Sequence, residues 1–314
     1  MSVMPPEKQA IAAIADAVTR LDPRMATVVL MRRGDDPLWT GLPPALRELG
    51  MEVSDVRLPP QDRCWAPPAP DDRGRLLVGG RAYAADVLIY HDPFGPGRPG
   101  ADLQALYRLL DCGVKVVFVD FPHGMTSAVA ADPLRSAYLS ALSADVETVV
   151  AAGAELRAVL QDSTRLRVRS GSTGVLEVSR PFEVRDDFTS ALLDVPVLQL
   201  PYGEVWVVAP PESFDGAVEL STGRGRHVRA RVRRGRLSHE GGAGALPEFD
   251  APMVELGIGL NKAAPWLPPA TLFEKSQGRL HVGFGDSGLI GGSRRERLHF
   301  DLPLSRDSSL DKEW

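Results

Sequence analysis

The chain has 314 residues, 44% of them hydrophobic and 25% charged, which excludes a disordered polymer and fits an ordinary globular protein of two domains. A net charge of −5 and a pI near 5.7 argue against nucleic-acid and anionic-membrane partners. No apolar run approaches the roughly 18–20 residues of a membrane span. The N-terminal segment lacks the charged and apolar regions of a signal peptide, and Cys64 and Cys112 make no disulfide framework. The expected address is cytoplasmic.

The N-terminal half alternates strand and helix. Residues 26–31 are a short apolar run rich in β-branched side chains and predict a strand; residues 41–50 predict a helix. Residues 59–74, rich in Pro and Asp, read as a loop. Residues 85–90 predict the next strand, residues 102–112 a helix stopped by Gly113, and residues 114–120 a further strand. From 132 to about 160 the pattern is helical. This order predicts a small parallel α/β sheet. His91, Asp92, Asp120 and His123 stand at predicted strand ends, where ligands of such sheets often bind, although punctuation of strand ends is the favoured reading. No glycine-rich nucleotide motif follows any strand.

Near residue 162 the period changes to two, and strands separated by Gly and Pro follow. The expected fold class is α/β, with an N-terminal parallel α/β domain at 1–161 and a β-rich α+β metal-binding domain at 162–314. Arg229, Arg231 and Arg233 alternate with small apolar residues, so they predict a solvated strand face; a nucleic-acid groove would interleave aromatics. Residues 305–314 read as a tail.

Four segments of this half carry acids or histidines inside apolar strands: Glu204 before Val-Trp-Val-Val, Glu255 in Val-Glu-Leu-Gly-Ile-Gly, His281 in Leu-His-Val-Gly-Phe-Gly, and His299 with Asp301 in His-Phe-Asp. Burying carboxylates among valines costs several kcal/mol unless a partner compensates. His299 and Asp301 are two apart and share one side of a strand, so both can grip one ion. A single His-x-Asp is more often a surface pair; the weight lies on four strands that each bring a ligand type. His281, His299 and Asp301 alone would make a two-His-one-carboxylate set for one iron, whereas adding Glu204 and Glu255 makes enough ligands for two ions.

The order Pro201-x-Gly-Glu-Val, Glu255-Leu-Gly-Ile-Gly-x-Asn261, Glu274-Lys-x-x-Gly-x-x-His281 and His299-x-Asp301 resembles the aminopeptidase T and S family of dinuclear metallopeptidases. The resemblance is strong from about 165 to 302 and faint before that. It implies metal ligands at Glu204, Glu255, His281, His299 and Asp301, with Glu255 and Glu274 as catalytic candidates. It also implies two divalent ions (Zn, Co or Mn) and hydrolysis of a small peptide or amide by water activated on the metal. Glu274 and Lys275 match a family pair, and a salt bridge steadying the loop before His281 is the plainer reading of them. A homodimer is one expectation for the assembly. Two departures stand out: the chain is short for the family, and where the peptidases place a tyrosine this chain has Gly288 and no tyrosine after Tyr202. Ser287, Lys275 and the backbone amides of 285–292 are the candidate replacement donors for an oxyanion, and Gly288→Tyr would restore the phenol. The chain is similar also to 2,5-dihydroxypyridine 5,6-dioxygenase, which implies the alternative of one Fe(II) and ring cleavage. A third alternative is a non-catalytic member of the fold that binds a peptide or partner.

Overall fold

The structure, a computed structural model, describes residues 4–22, 24, 26–32, 36–58, 68, 70–90, 103–119, 133–188, 196–221, 227–239, 251–267 and 270–313. His91, Asp92, Asp120 and His123, together with most of the loop at 59–74, lie outside the described residues.

Helix α1 (Pro6–Leu21) leads into β1 (Thr27–Arg32), α2 (Pro37–Glu48) and β2 (Glu52–Arg57). A hairpin of β3 (Leu76–Val78) and β4 (Arg81–Tyr83) precedes β5 (Val87–Tyr90), α3 (Leu103–Asp111) and β6 (Lys115–Val119). The main sheet of this half is parallel throughout, as the strand–helix order predicts. Alternate residues of β1 feed two cores: Val28 and Leu30 pack with α1 and α2, Val29 and Met31 with α3. Helices cover both faces, which is why the three inner strands β6, β5 and β1 are continuous apolar runs.

Helix α2 begins before the predicted position because Asp36 caps it, accepting from the Leu38 amide at 2.9 Å, with Pro37 in the first turn. The helical stretch at 132–160 is two helices, α4 (Pro133–Leu142) and α5 (Val146–Asp162). Asp145 starts the second by accepting from the Glu147 amide.

Beyond α5 the chain becomes antiparallel, with β7 (Arg165–Ser170), β8 (Gly174–Ser179) and β9 (Glu183–Asp186). It then returns to the first sheet: β10 (Val197–Leu200) pairs in parallel with β6, giving the order β10-β6-β5-β1-β2. The remaining strands are β11 (Glu204–Val208), β12 (Phe214–Ser221), β13 (His227–Arg233), β14 (Arg236–His239), β15 (Met253–Gly259), β16 (Leu280–Gly285), β17 (His299–Pro303) and β18 (Ser309–Glu313). They form two sheets, β14-β13-β12-β8-β7-β18 and β17-β16-β15-β11-β9, packed over one apolar core.

Residues 305–314, expected as a tail, instead carry a strand. Five of these residues form β18, antiparallel to β7, and Asp311 pairs with Arg169 on that edge. Arg229, Arg231 and Arg233 are exposed while Ala230 and Val232 are buried, as the alternation predicts. No helix among the described residues is long and apolar enough to cross a membrane.

Candidate metal centre

Strand register brings the five candidate ligands to one face of the β17-β16-β15-β11-β9 sheet. Glu204 lies opposite Gly259, Glu255 opposite Gly283, Gly283 opposite Asp301, Gly257 opposite His281, and Gly285 opposite His299. Residues paired across neighbouring strands project to the same side. The intervening Val205, Leu256, Ile258, Val282, Phe284 and Phe300 point the other way, into the core. The period-two pattern thus separates an apolar face that folds the sheet from a polar face that carries chemistry.

On that face the distances are short. His281 Nε2 is 2.9 Å from Glu204 Oε1 and 3.8 Å from both Glu255 Oε1 and Asp301 Oδ1. His299 Nε2 is 3.1 Å from Glu255 Oε2 and 3.3 Å from Asp301 Oδ1. Two sets result, Glu204–Glu255–His281 and Glu255–His299–Asp301, each with its ligand atoms within 4.8 Å of one another. Glu255 belongs to both. The second set is the more open, with side-chain exposures of 12% at His299 and 10% at Asp301.

Glycines make the room. A Cβ on Gly257 would lie 2.0 Å from His281 Cε1 and 2.4 Å from Glu204 Oε1; one on Gly283 would lie 2.5 Å from Glu255 Oε2 and 2.8 Å from Asp301 Oδ1. Glycine inside a strand signals a close approach, so Gly257 and Gly283 were legible in Leu-Gly-Ile-Gly and Val-Gly-Phe-Gly.

The charge balance fits a cation. Glu204 Oε1, Glu255 Oε2 and Asp301 Oδ1 are buried and make no well-aligned hydrogen bond among the described residues; they face the His281 and His299 imidazoles across the cavity. Three buried carboxylates facing two imidazoles need positive charge beside them, which protons on the rings or a cation can supply. Carboxylates and imidazoles are ligands that divalent zinc, cobalt, manganese and iron accept. The cluster is therefore a candidate metal-binding site built from this chain's own residues.

Without an ion, the cluster balances its charge with protons. Burial disfavours charge on His281 and His299, but Glu204 and Asp301 respectively outweigh it and hold both imidazoles well above their usual pKa. Burial likewise opposes the charge of Glu204, which Lys275 and His281 overcome, so its pKa is lowered. Any ion must displace the imidazole protons. In the metal-free protein the histidine contribution to stability is complete below the unfolded imidazole pKa and lost as pH rises through the raised folded values. Stabilisation by added Zn should accordingly grow as pH rises from about 6.5, the unfolded imidazole pKa, towards the raised folded values, read as a rising shift in Tm, with protons released on uptake. A shift that shrinks over that range would contradict the displacement.

Lys275 forms its ion pairs away from the adjacent Glu274. Its ammonium lies 2.5 Å from Glu204 Oε2 and 3.3 Å from Asp187 Oδ2, and burial, which would lower its pKa, is outweighed by the two carboxylates. Asp187 also accepts from the Gly203 and Glu204 amides at 2.8 and 3.2 Å. Glu204 is thereby fixed at its backbone and at one oxygen, leaving Oε1 for the shared cavity. Asn261 is wholly buried; it donates to Ala141 and Tyr202 carbonyls and accepts from the Ala263 and Ala264 amides, so it pins the motif to α4. Glu274 is buried, and burial together with the charge on Asp301 raises its pKa well above the usual carboxylate range.

The imidazoles are held differently. His299 Nδ1 donates to the Asp286 carbonyl at 2.5 Å, which leaves Nε2 as the ligand atom, a common arrangement for metal-binding histidine. His281 Nδ1 has no hydrogen-bond partner among the described residues, and its ring packs edge-on against Phe273.

Of the donors proposed to replace the missing tyrosine, the backbone amides and Lys275 are already engaged. Every amide from 285 to 292 already donates to an acceptor of the protein: 285 to Pro252, 286 to Leu298, 287 and 288 to Arg294, 289 to the Asp286 carboxylate, 290 and 292 to Ser287, and 291 to Gly288. Lys275 serves Glu204, while Ser287 Oγ accepts from the Arg294 amide and so keeps its own O–H as a donor. Restoring a phenol at 288 is also blocked, since a Cβ on Gly288 would lie 2.2 Å from Tyr107 Oη. Gly288→Tyr is thus expected to lower Tm by several degrees and to raise no activity, on the usual overpacking cost of about 1–3 kcal/mol; a Tm equal to wild type would contradict the contact.

Neither family models nor curated protein sequences match the chain. Solved structures do. 2,5-Dihydroxypyridine dioxygenase from Pseudomonas putida KT2440 superposes with a TM-score of 0.65 at 15% identity, over 98% of this chain and 94% of that one. Wild-type AmpT, an aminopeptidase T from Thermus thermophilus, superposes with a TM-score of 0.62 at 16% identity, over 98% and 95%. The chain has their fold. The likeness runs through the N-terminal half, where sequence motifs were faint. One fold therefore carries an aminopeptidase and a dioxygenase, so the fold by itself does not fix a function.

Proposed function

We propose that this chain is a metal-dependent amide hydrolase that holds two divalent ions and acts on a small peptide or amide. The observation that carries this reading is the pair of ligand sets sharing Glu255, with one imidazole in each. A single iron held by His281, His299 and Asp301 would leave Glu204 Oε1 and Glu255 outside the ligand set, yet both residues are buried on the cavity face.

When bound, two ions of the Zn, Co or Mn type polarise a carbonyl and lower the pKa of a shared water. Glu204 and His281 would hold one, His299 and Asp301 the other, and Glu255 both. Coordination would use both Glu255 oxygens, which shifts proton handling towards Glu274. Burial and the charge on Asp301 raise the pKa of that carboxyl well above the usual carboxylate range, which favours its use as a proton donor to a leaving amine. Lys275 and Asp187 keep Glu204 in place through the cycle.

The test is turnover of a short aminoacyl amide with Zn, Co or Mn added. The wild type should hydrolyse it, and His281→Ala should abolish turnover while circular dichroism stays native. No hydrolysis by the wild type with any of the three metals sinks the reading. Ring opening of a dihydroxylated pyridine under air with Fe(II) would replace it with the dioxygenase alternative.

A further inference from the structure

We propose that Tyr107, on helix α3 of the parallel-sheet half, is a positioning residue for His299 that acts through Asp286 and so sets the affinity of the outer ion site. The inference rests on the two-ion reading above. It goes further by making one of the two sites depend on the other half of the chain.

Asp286 follows the last residue of β16 and is wholly buried. Its carboxylate collects three donors: the Tyr107 hydroxyl at 2.6 Å to Oδ2 and 2.8 Å to Oδ1, the Leu289 amide at 3.0 Å, and the Glu296 amide at 2.7 Å. Its own amide donates to the Leu298 carbonyl at 2.7 Å, and its carbonyl receives the His299 imidazole N–H. The side chain thus fixes the peptide group that orients the ring. A buried carboxylate deprived of a charge-assisted donor rearranges towards others, and the carbonyl on the same residue moves with it.

Helix α3 meets the segment leading into His299 at several points. The Leu103 amide donates to the Arg297 carbonyl at 3.0 Å, the Gln104 side chain to the Glu296 carbonyl at 3.3 Å, and the Arg295 guanidinium lies 4.4 Å from the centre of the Tyr107 ring. Tyr107 is the member of this contact that reaches a buried charge. The absence of a side chain at Gly288 gives its hydroxyl room, as the 2.2 Å approach of a built Cβ shows. The inner set has different supports: Glu204 is held by Lys275 and Asp187, and neither touches Asp286 or Tyr107 through a hydrogen bond that the structure records. A change at Tyr107 should therefore act on one ion and spare the other.

Competition of full-length protein against a chromophoric chelator for Zn resolves the stepwise affinities. In Tyr107→Phe, one step should weaken by about tenfold, the scale of changes behind a metal ligand, while the other keeps its wild-type affinity. The weakened step should be the one that disappears in His299→Ala. If Tyr107→Phe does not fold, Asp286→Asn is measured instead and should show the same selective loss. Two unchanged steps in the variant, or two steps weakened equally, would overturn the inference and leave a merely structural clasp. A wild type that binds fewer than two ions would overturn the two-ion reading itself, which the comparison of variants does not touch.

Discussion

Glu255→Gln should cost the protein both ions at once, whereas Glu204→Gln and Asp301→Asn should each cost one. Glu255 directs Oε1 towards His281 and Oε2 towards His299, at 3.8 and 3.1 Å, and is the one residue common to both ligand sets. The amide keeps the shape of the side chain but removes the charge and one acceptor. Its loss should weaken both steps of metal uptake by more than about 100-fold, beyond the roughly 10–100-fold typical of residues behind the ligands. Equilibrium dialysis followed by metal analysis reads the outcome. Retention of one tight ion by Glu255→Gln would place this residue in a single site and end the bridging assignment.

Gly283→Ala should abolish metal uptake with a single methyl group. The added carbon would sit 2.5 Å from Glu255 Oε2 and 2.8 Å from Asp301 Oδ1, closer than real side chains approach. Either the two carboxylates move apart or the strand shifts, and both spoil the cavity. Alanine suits a strand better than glycine by about 0.5–1 kcal/mol, while overpacking costs about 1–3 kcal/mol. The metal-free variant should therefore remain folded with a modestly lower Tm, and added Zn should no longer raise it. A wild-type Zn-induced shift in Gly283→Ala would mean that the ions bind elsewhere.

The legibility of this molecule differs by level. The five ligand-type residues could be read because each interrupts an apolar strand, and period two fixes which side they face. Gly257 and Gly283 carried a signal of their own. Tyr107 and Asp187 carried none: Tyr107 reaches Asp286 across 179 positions, and Asp187 sits beside another aspartate with nothing to mark it. Lys275 stood out as half of a Glu-Lys pair, but its partner is Glu204, 71 positions away, because proximity in sequence does not rank contacts in space. Strand β18 hid because an edge strand held by charges such as the Asp311–Arg169 pair has no apolar run to announce it. The break between α4 and α5 hid because it contains neither Gly nor Pro, only the cap Asp145.

The central claim is that two ions share Glu255, and metal analysis of protein purified without a polyhistidine tag tests it most directly. Elemental analysis after equilibration with Zn, Co or Mn and removal of free metal should give close to two ions per chain, falling to none in Glu255→Gln. One tightly held iron per chain with no second ion, or no metal at all under any of these conditions, would contradict it.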